Sequence, residues 1–136
     1  MAGVATSWSK AAPILLSILR IVMGFLFMQH GGDKLLGFPA GDPIESGEIF
    51  TITPGLAGLL ELVGGFLILI GLFTRPVAFV LSGEMAFAYF MAHFPANHAF
   101  PILNGGGMAV AFCFVFLYLS AAGAGPWSVD RGMGRR

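Results

Sequence analysis

Four stretches of the chain are almost continuously apolar, at about 13–36, 54–73, 76–94 and 103–122, and polar residues collect between them. A bilayer core of about 30 Å needs roughly 20 mostly apolar residues in a helix. Each stretch meets that length, so the pattern predicts four membrane helices. Pro13, Pro54 and Pro76 stand where a first helical turn tolerates proline, because its missing N–H would be unpaired there anyway. Thr-Arg-Pro at 74–76 reads as a tight turn, which makes the second and third helices an antiparallel hairpin. The short polar connection at 93–101, with two prolines, implies a second antiparallel pair. The longest loop, 37–54, has room for a short interfacial helix around 45–50. The expected architecture is one all-α domain over 1–136, an antiparallel four-helix bundle in the membrane.

Composition strengthens this picture. Of 136 residues, 57% are hydrophobic and 10% charged, with a mean hydropathy of +0.85. A soluble domain carries about 25% charged residues, so too little polar surface is available for a soluble monomer. The formal net charge is zero, and nothing suggests nucleic acid as a partner. The bilayer is the first expected partner. Cys113 is the single cysteine, which excludes an internal disulfide or a CxxC pair. Arg20 interrupts the first apolar stretch after 14–19 and no small-residue cleavage site follows, so the first helix is expected to be retained. Lys10, Arg75, Arg131, Arg135 and Arg136 fall at one end of the bundle, while Asp42, Glu45 and Glu48 fall at the other with Lys34. The positive-inside rule then places both termini in the cytoplasm, in an inner or plasma membrane, with Trp8 and Trp127 at the cytoplasmic interface.

Charges inside such helices cost about 2.5–3.5 kcal/mol each on insertion scales, so they turn inward and find partners. The candidates are Arg20, Glu61 and Glu84, with His30, Lys34, His93 and Asn104 nearer the helix ends. Arg20, Met23, Phe27, His30 and Lys34 form one stripe at helical spacing, with Gly24 and Gly31 beside it. On the second helix Gly58, Glu61 and Gly65 share a face, and small residues mark close helix contacts in membranes. Gly105 with Ala109, and Gly107 with Ala111, suggest similar close packing of the fourth helix. At a rise of about 1.5 Å per residue, Arg20 and Glu84 lie at matched depths from Pro13 and Pro76. An inner Arg20–Glu84 pair is therefore expected, with Arg20–Glu61, or one arginine bridging both, as alternatives. The expected outer cluster is His30, Lys34, Glu61 and His93, extended to Asn97, His98 and Asn104.

Two readings of these groups stand side by side. One is a structural polar network that sets helix register; the other is a pocket for a small polar headgroup, such as a quinone carbonyl, or a proton. Metal binding is not expected, since the histidine spacing matches no ligand pattern. A bis-histidine haem through His30 and His93 needs ligands on facing helices, and interfacial hydrogen bonding is the simpler reading. Phe73, Phe79, Phe87, Phe90 and Phe94 are expected to face lipid or fill the core. Asp130 and the terminal arginines read as a solvated tail.

Four segments together carry a resemblance. LRIVMGFLFMQHGGDKLLGF, ELVGGFLILIGLFTRPVA, FPILNGG and GAGPWSVD resemble, in that order, motifs of the DoxX family of small membrane proteins. The residues concerned are Arg20, Gly24, His30-Gly31 and Lys34-Leu35, then Glu61, Gly64-Gly65, Gly71 and Thr74-Arg75. The resemblance implies a four-helix inner-membrane protein. The family takes its name from subunits linked to terminal oxidase and thiosulfate:quinone oxidoreduction, and some members resemble partners of soluble redox or sulfur-transfer enzymes. The functional expectation is an accessory or quinone-interacting subunit of a membrane oxidoreductase system, with a redox complex or a second copy as partner. The alternative is a non-catalytic structural or assembly subunit. Quinone is the one cofactor the reading suggests, since no flavin, haem or iron–sulfur motif is encoded. A small transporter is disfavoured, because neither an inverted repeat nor a broken mid-helix is visible.

Overall fold

The computed structural model describes residues 2–94 and 99–136. Among these residues every regular element is helical. A short helix α1 (Ala2–Ser9) precedes α2 (Ala12–Leu36), which carries Pro13 in its first turn and stops at Gly37. At 25 residues, α2 is about 37 Å long, more than a bilayer core. α3 (Ile52–Ile70) contains two wide, π-type turns at Ile52–Leu56 and Leu60–Gly64 and ends at Gly71. α4 (Thr74–Ala88) continues into one more wide turn, Tyr89–His93. A single turn, Pro101–Asn104, leads to α5 (Gly107–Ala122), and the chain closes with the short α6 (Val129–Gly132). α2 and α3 are long and apolar enough to cross a membrane; α5 is apolar but 16 residues long.

Helix α2 packs chiefly on α3, and α4 chiefly on α5. The first contact is a glycine seam. A Cβ at Gly24 would lie 2.5 Å from the Leu69 nitrogen, and one at Gly65 would lie 2.6 Å from the Met28 nitrogen. One helical level further, a Cβ at Gly31 would overlap the backbone of Leu62 and Gly58. Gly24 and Gly31 thus meet the Gly58–Gly65 face of α3 at two crossings seven residues apart. Backbones this close gain dispersion contact, which in lipid replaces the hydrophobic drive that water supplies. Phe27 joins the two pairs: its ring centroid is 5.0 Å from that of Phe112 and 4.8 Å from that of Phe116. Ile68, Leu81 and Leu119 complete the buried core. Outward, Phe25, Phe66, Phe79, Phe87, Phe90, Phe94 and Phe114 are exposed. Such a continuous apolar exterior suits lipid rather than water.

Several expectations change. α1 was not foreseen, because its small residues make no apolar run. The turn between α3 and α4 is Gly71–Leu72–Phe73, so Thr-Arg-Pro already belongs to α4. The loop at 45–50 forms a single 3-10 turn, Glu48–Phe50. The fourth apolar stretch is broken at Gly105, where φ is +75°. Of its small residues Ala109 is buried in the core, whereas Gly105 and Gly107 have open space beside them and Ala111 is exposed. The terminal arginines of the tail are exposed, as expected, but its acid is not. Asp130 is buried, and its carboxylate takes the N–H groups of Phe73 (2.9 Å) and Thr74 (2.8 Å). These donors open α4, where no preceding side chain caps them.

Candidate functional site

Polar side chains gather at both ends of the bundle. At the tail end stands Arg20, 0% exposed. Its Nε donates to the Ala124 carbonyl (2.7 Å) and Nη1 to the carbonyls of Ile68 (2.6 Å) and Leu69 (2.5 Å). Nη2 donates to the Trp127 carbonyl. Ile68 and Leu69 close α3, where the last carbonyls lack intrahelical donors and carry the negative end of the helix dipole. Ser17, one turn before, takes the Trp127 N–H at 3.2 Å. Gly71, at φ +72°, fits beneath: a Cβ there would lie 2.9 Å from the Arg20 Cζ. Arg20 therefore ties α2 to the end of α3 and to the tail.

This corrects the expected carboxylate partner. Arg20 pairs with neither Glu84 nor Glu61; its planar fork is filled by main-chain carbonyls. Equal depths from Pro13 and Pro76 would match only if the helix starts shared a plane. They do not: Arg20 lies level with the end of α3, whereas Glu84 lies ten residues into α4, about 15 Å further along.

At the opposite end Lys34 Nζ contacts both carboxylate oxygens of Glu61, at 2.7 and 2.5 Å. Glu61 is buried and Lys34 half-buried. Glu84 joins this end. Gly64 of α3 lies against Leu81 of α4. Stepping back three residues on α3 and on three along α4 brings Glu61 and Glu84 level in an antiparallel pair. Glu84 lies within electrostatic range of both Glu61 and Lys34. Both its carboxylate oxygens are buried, and neither has a hydrogen-bond partner among the described residues. Since a buried polar group without a partner costs about 1–3 kcal/mol, this departure needs an explanation.

The remaining candidates separate from this pair. His93 Nδ1 lies 3.3 Å from the Asn104 carbonyl oxygen, and Asn104 Nδ2 donates to the Tyr89 hydroxyl at 3.3 Å. Asn104 also takes the Gly106 N–H, so it closes the break before α5. His30 is exposed and rests edge-on against Phe112, with centroids 5.8 Å apart. The expected outer cluster thus resolves into Lys34, Glu61 and Glu84, with His93 and Asn104 in a separate contact and His30 outside both. Asn97 and His98 lie outside the described residues. Asp130 and Ser17 were missed as site residues. The available signal was slight: Asp130 is the one acid among the basic residues of the tail.

The profile of the DoxX family matches residues 15–94. The match takes in Arg20, Lys34, Glu61, Glu84 and His93. Three relatives align over nearly their whole length. An uncharacterized protein of Haemophilus influenzae is 42% identical over 123 residues, 89% of this chain and 92% of the relative. The inner membrane protein YphA of Escherichia coli is 29% identical over 132 residues, 91% of this chain and 94% of its own. An uncharacterized membrane protein of Mycobacterium tuberculosis is 27% identical over 152 residues, 97% of this chain and 91% of its own. No solved structure matches the chain.

Proposed function

The chain belongs to the DoxX family and is an integral membrane protein, and from that premise we propose that it is an accessory, quinone-interacting subunit of a membrane oxidoreductase system. The whole chain acts as one domain, multi-pass in the inner membrane. Its α2, α3, α4 and α5 cross the bilayer antiparallel, with both termini in the cytoplasm. Support for this topology is the excess of lysine and arginine at the tail end and the acidic loop at the other.

One observation carries the reading: Glu84 holds two buried, unpartnered carboxylate oxygens beside the Lys34–Glu61 pair. In lipid a polar group without a partner marks a site where a partner arrives. A quinone headgroup offers what this site takes. Its carbonyls accept from Lys34, and its reduced hydroxyls donate to Glu84. The test is direct. Protein purified from quinone-containing membranes should carry extractable quinone, and Glu84→Leu and Lys34→Met should lose it while eluting as folded protein. Quinone-free wild-type protein from the same membranes would sink the reading.

A second reading, a non-catalytic assembly subunit, draws on the other end of the bundle. There the arginine makes four hydrogen bonds within the chain, and the outward phenylalanines of α4 remain open to a neighbour. Mild-detergent affinity purification distinguishes the two. A larger complex without quinone favours assembly; quinone on the isolated chain favours the first reading.

A further inference from the structure

We propose that the cleft at the tail end of the bundle binds the phosphate of an anionic phospholipid. The cleft encloses about 640 Å³ between the closing segment and the start of α4. Arg75, Arg131, Arg135 and Arg136 line it against one acid, Asp130. Asp130 is committed to the first N–H groups of α4. Arg75 is committed to the Ser120 and Ala121 carbonyls and to the backbone of Arg136. Arg135 lies over the Phe73 ring, 4.3 Å from its centroid, and 3.8 Å from Asp130. The guanidinium groups of Arg131 and Arg136 pair with no described residue. Two planar donor forks thus face a cleft whose net charge is positive, the arrangement that grips phosphate bidentately.

The other wall identifies the source of the phosphate. Phe73 and three prolines make it apolar. A free phosphate gains nothing there, whereas the glycerol and first acyl carbons of a lipid do. The cleft also lies at the level of Trp127, 55% exposed, and indoles settle in the headgroup layer. Basic pockets between membrane helices at that depth meet anionic headgroups.

The experiment uses the full chain in phosphatidylcholine vesicles, with Trp8→Phe so that Trp127 is the single reporter. Brominated phosphatidylglycerol should quench Trp127 more strongly than brominated phosphatidylcholine at equal mole fraction. An arginine near an anionic surface is worth about fivefold in partition. Arg131→Gln should therefore lower the excess about fivefold, and adding Arg136→Gln should remove it. Lys10→Gln, a basic residue at the same end but outside the cleft, should leave the excess in place. Equal quenching by the two lipids overturns the proposal, as does a loss with Lys10→Gln equal to that of the arginine pair. Millimolar inorganic phosphate that abolishes the excess reassigns the cleft to free phosphate and overturns the lipid. Arg131 and Arg136 are exposed, and an unchanged circular dichroism spectrum reports folding independently.

Discussion

Arg20 and Glu84 are both charged residues inside an apolar bundle, but the chain treats them differently. Around Arg20 each of the three guanidinium nitrogens donates to a carbonyl: two of the four acceptors close α3, and two belong to the segment after α5. Around Glu84 the acid has a charged pair nearby and no hydrogen bond from the described residues. Sequence proximity to a helix end does not explain this, since each group sits two or three turns into its helix. Internal satisfaction does. A group whose hydrogen bonds all stay within the chain holds the chain together, and one whose bonds are left open awaits something else.

Removing Arg20 should therefore produce the largest effect. Arg20→Ala takes the guanidinium from four carbonyls, of which Ile68 keeps the Gly71 N–H, and each buried group left unsatisfied costs about 1–3 kcal/mol. Loss of the folded fraction is expected, read as aggregation on detergent gel filtration or as a collapse in thermal midpoint. Arg20→Lys should recover part of the stability, because an ammonium offers three donors where the fork supplies four bonds. A folded, stable Arg20→Ala protein would erase the contrast with Glu84.

Next in size is the glycine seam that spaces the two ends. Gly24→Val adds atoms where the Leu69 backbone already stands, and overpacking of this kind costs about 1–3 kcal/mol or more. The same change at Gly83, beside open space, should be nearly silent. Thermal midpoints of the two variants in one detergent decide it.

At the other end the two acids should separate from each other. Lys34→Met strands the buried Glu61 carboxylate and should cost about 1–3 kcal/mol. Glu84→Gln removes no hydrogen bond from the free protein, so its stability should stay within about 0.5 kcal/mol of the parent. If Glu84→Gln destabilises as much as Lys34→Met, then Glu84 is part of the scaffold and its open oxygens do not mark a site.

Much of the fold was legible because helical periodicity and glycine spacing are local. Gly24, Gly31, Gly58 and Gly65 could be placed on facing stripes from their intervals, and the structure puts them in contact. The Lys34–Glu61 pair was legible as an outer grouping for the same reason. Arg20's true partners were not. Carbonyl acceptors carry no sequence signature, and which ones are unpaired depends on where α3 stops. The last helical residue, Ile70, comes three residues before the end of the apolar run. The same shift of plane hid Glu84's position beside Glu61. Asp130 was illegible because its partners, the first N–H groups of α4, are distant in sequence.

The smallest effect expected comes from Asp130, which caps α4 from the closing segment. Its burial alone would raise the carboxyl pKa. The N–H groups of Thr74 and Phe73, with Arg135 nearby, outweigh that and hold it below the ordinary aspartate value. A folded value below the unfolded one means that the stabilisation is present above the unfolded pKa of about 3.9. It is lost as pH falls through the folded value. Stability should thus be flat towards neutrality and decline under strong acid. Other carboxylates stand in the chain, so the informative quantity is the difference between parent and Asp130→Asn. Asparagine keeps one acceptor oxygen but sets an NH2 group against the second N–H. It should be less stable than the parent at pH 7, and the two should converge as the parent's carboxylate is protonated. A gap that stays constant down to the acid limit would show that Asp130 acts by shape alone, and the cap would then owe nothing to its charge.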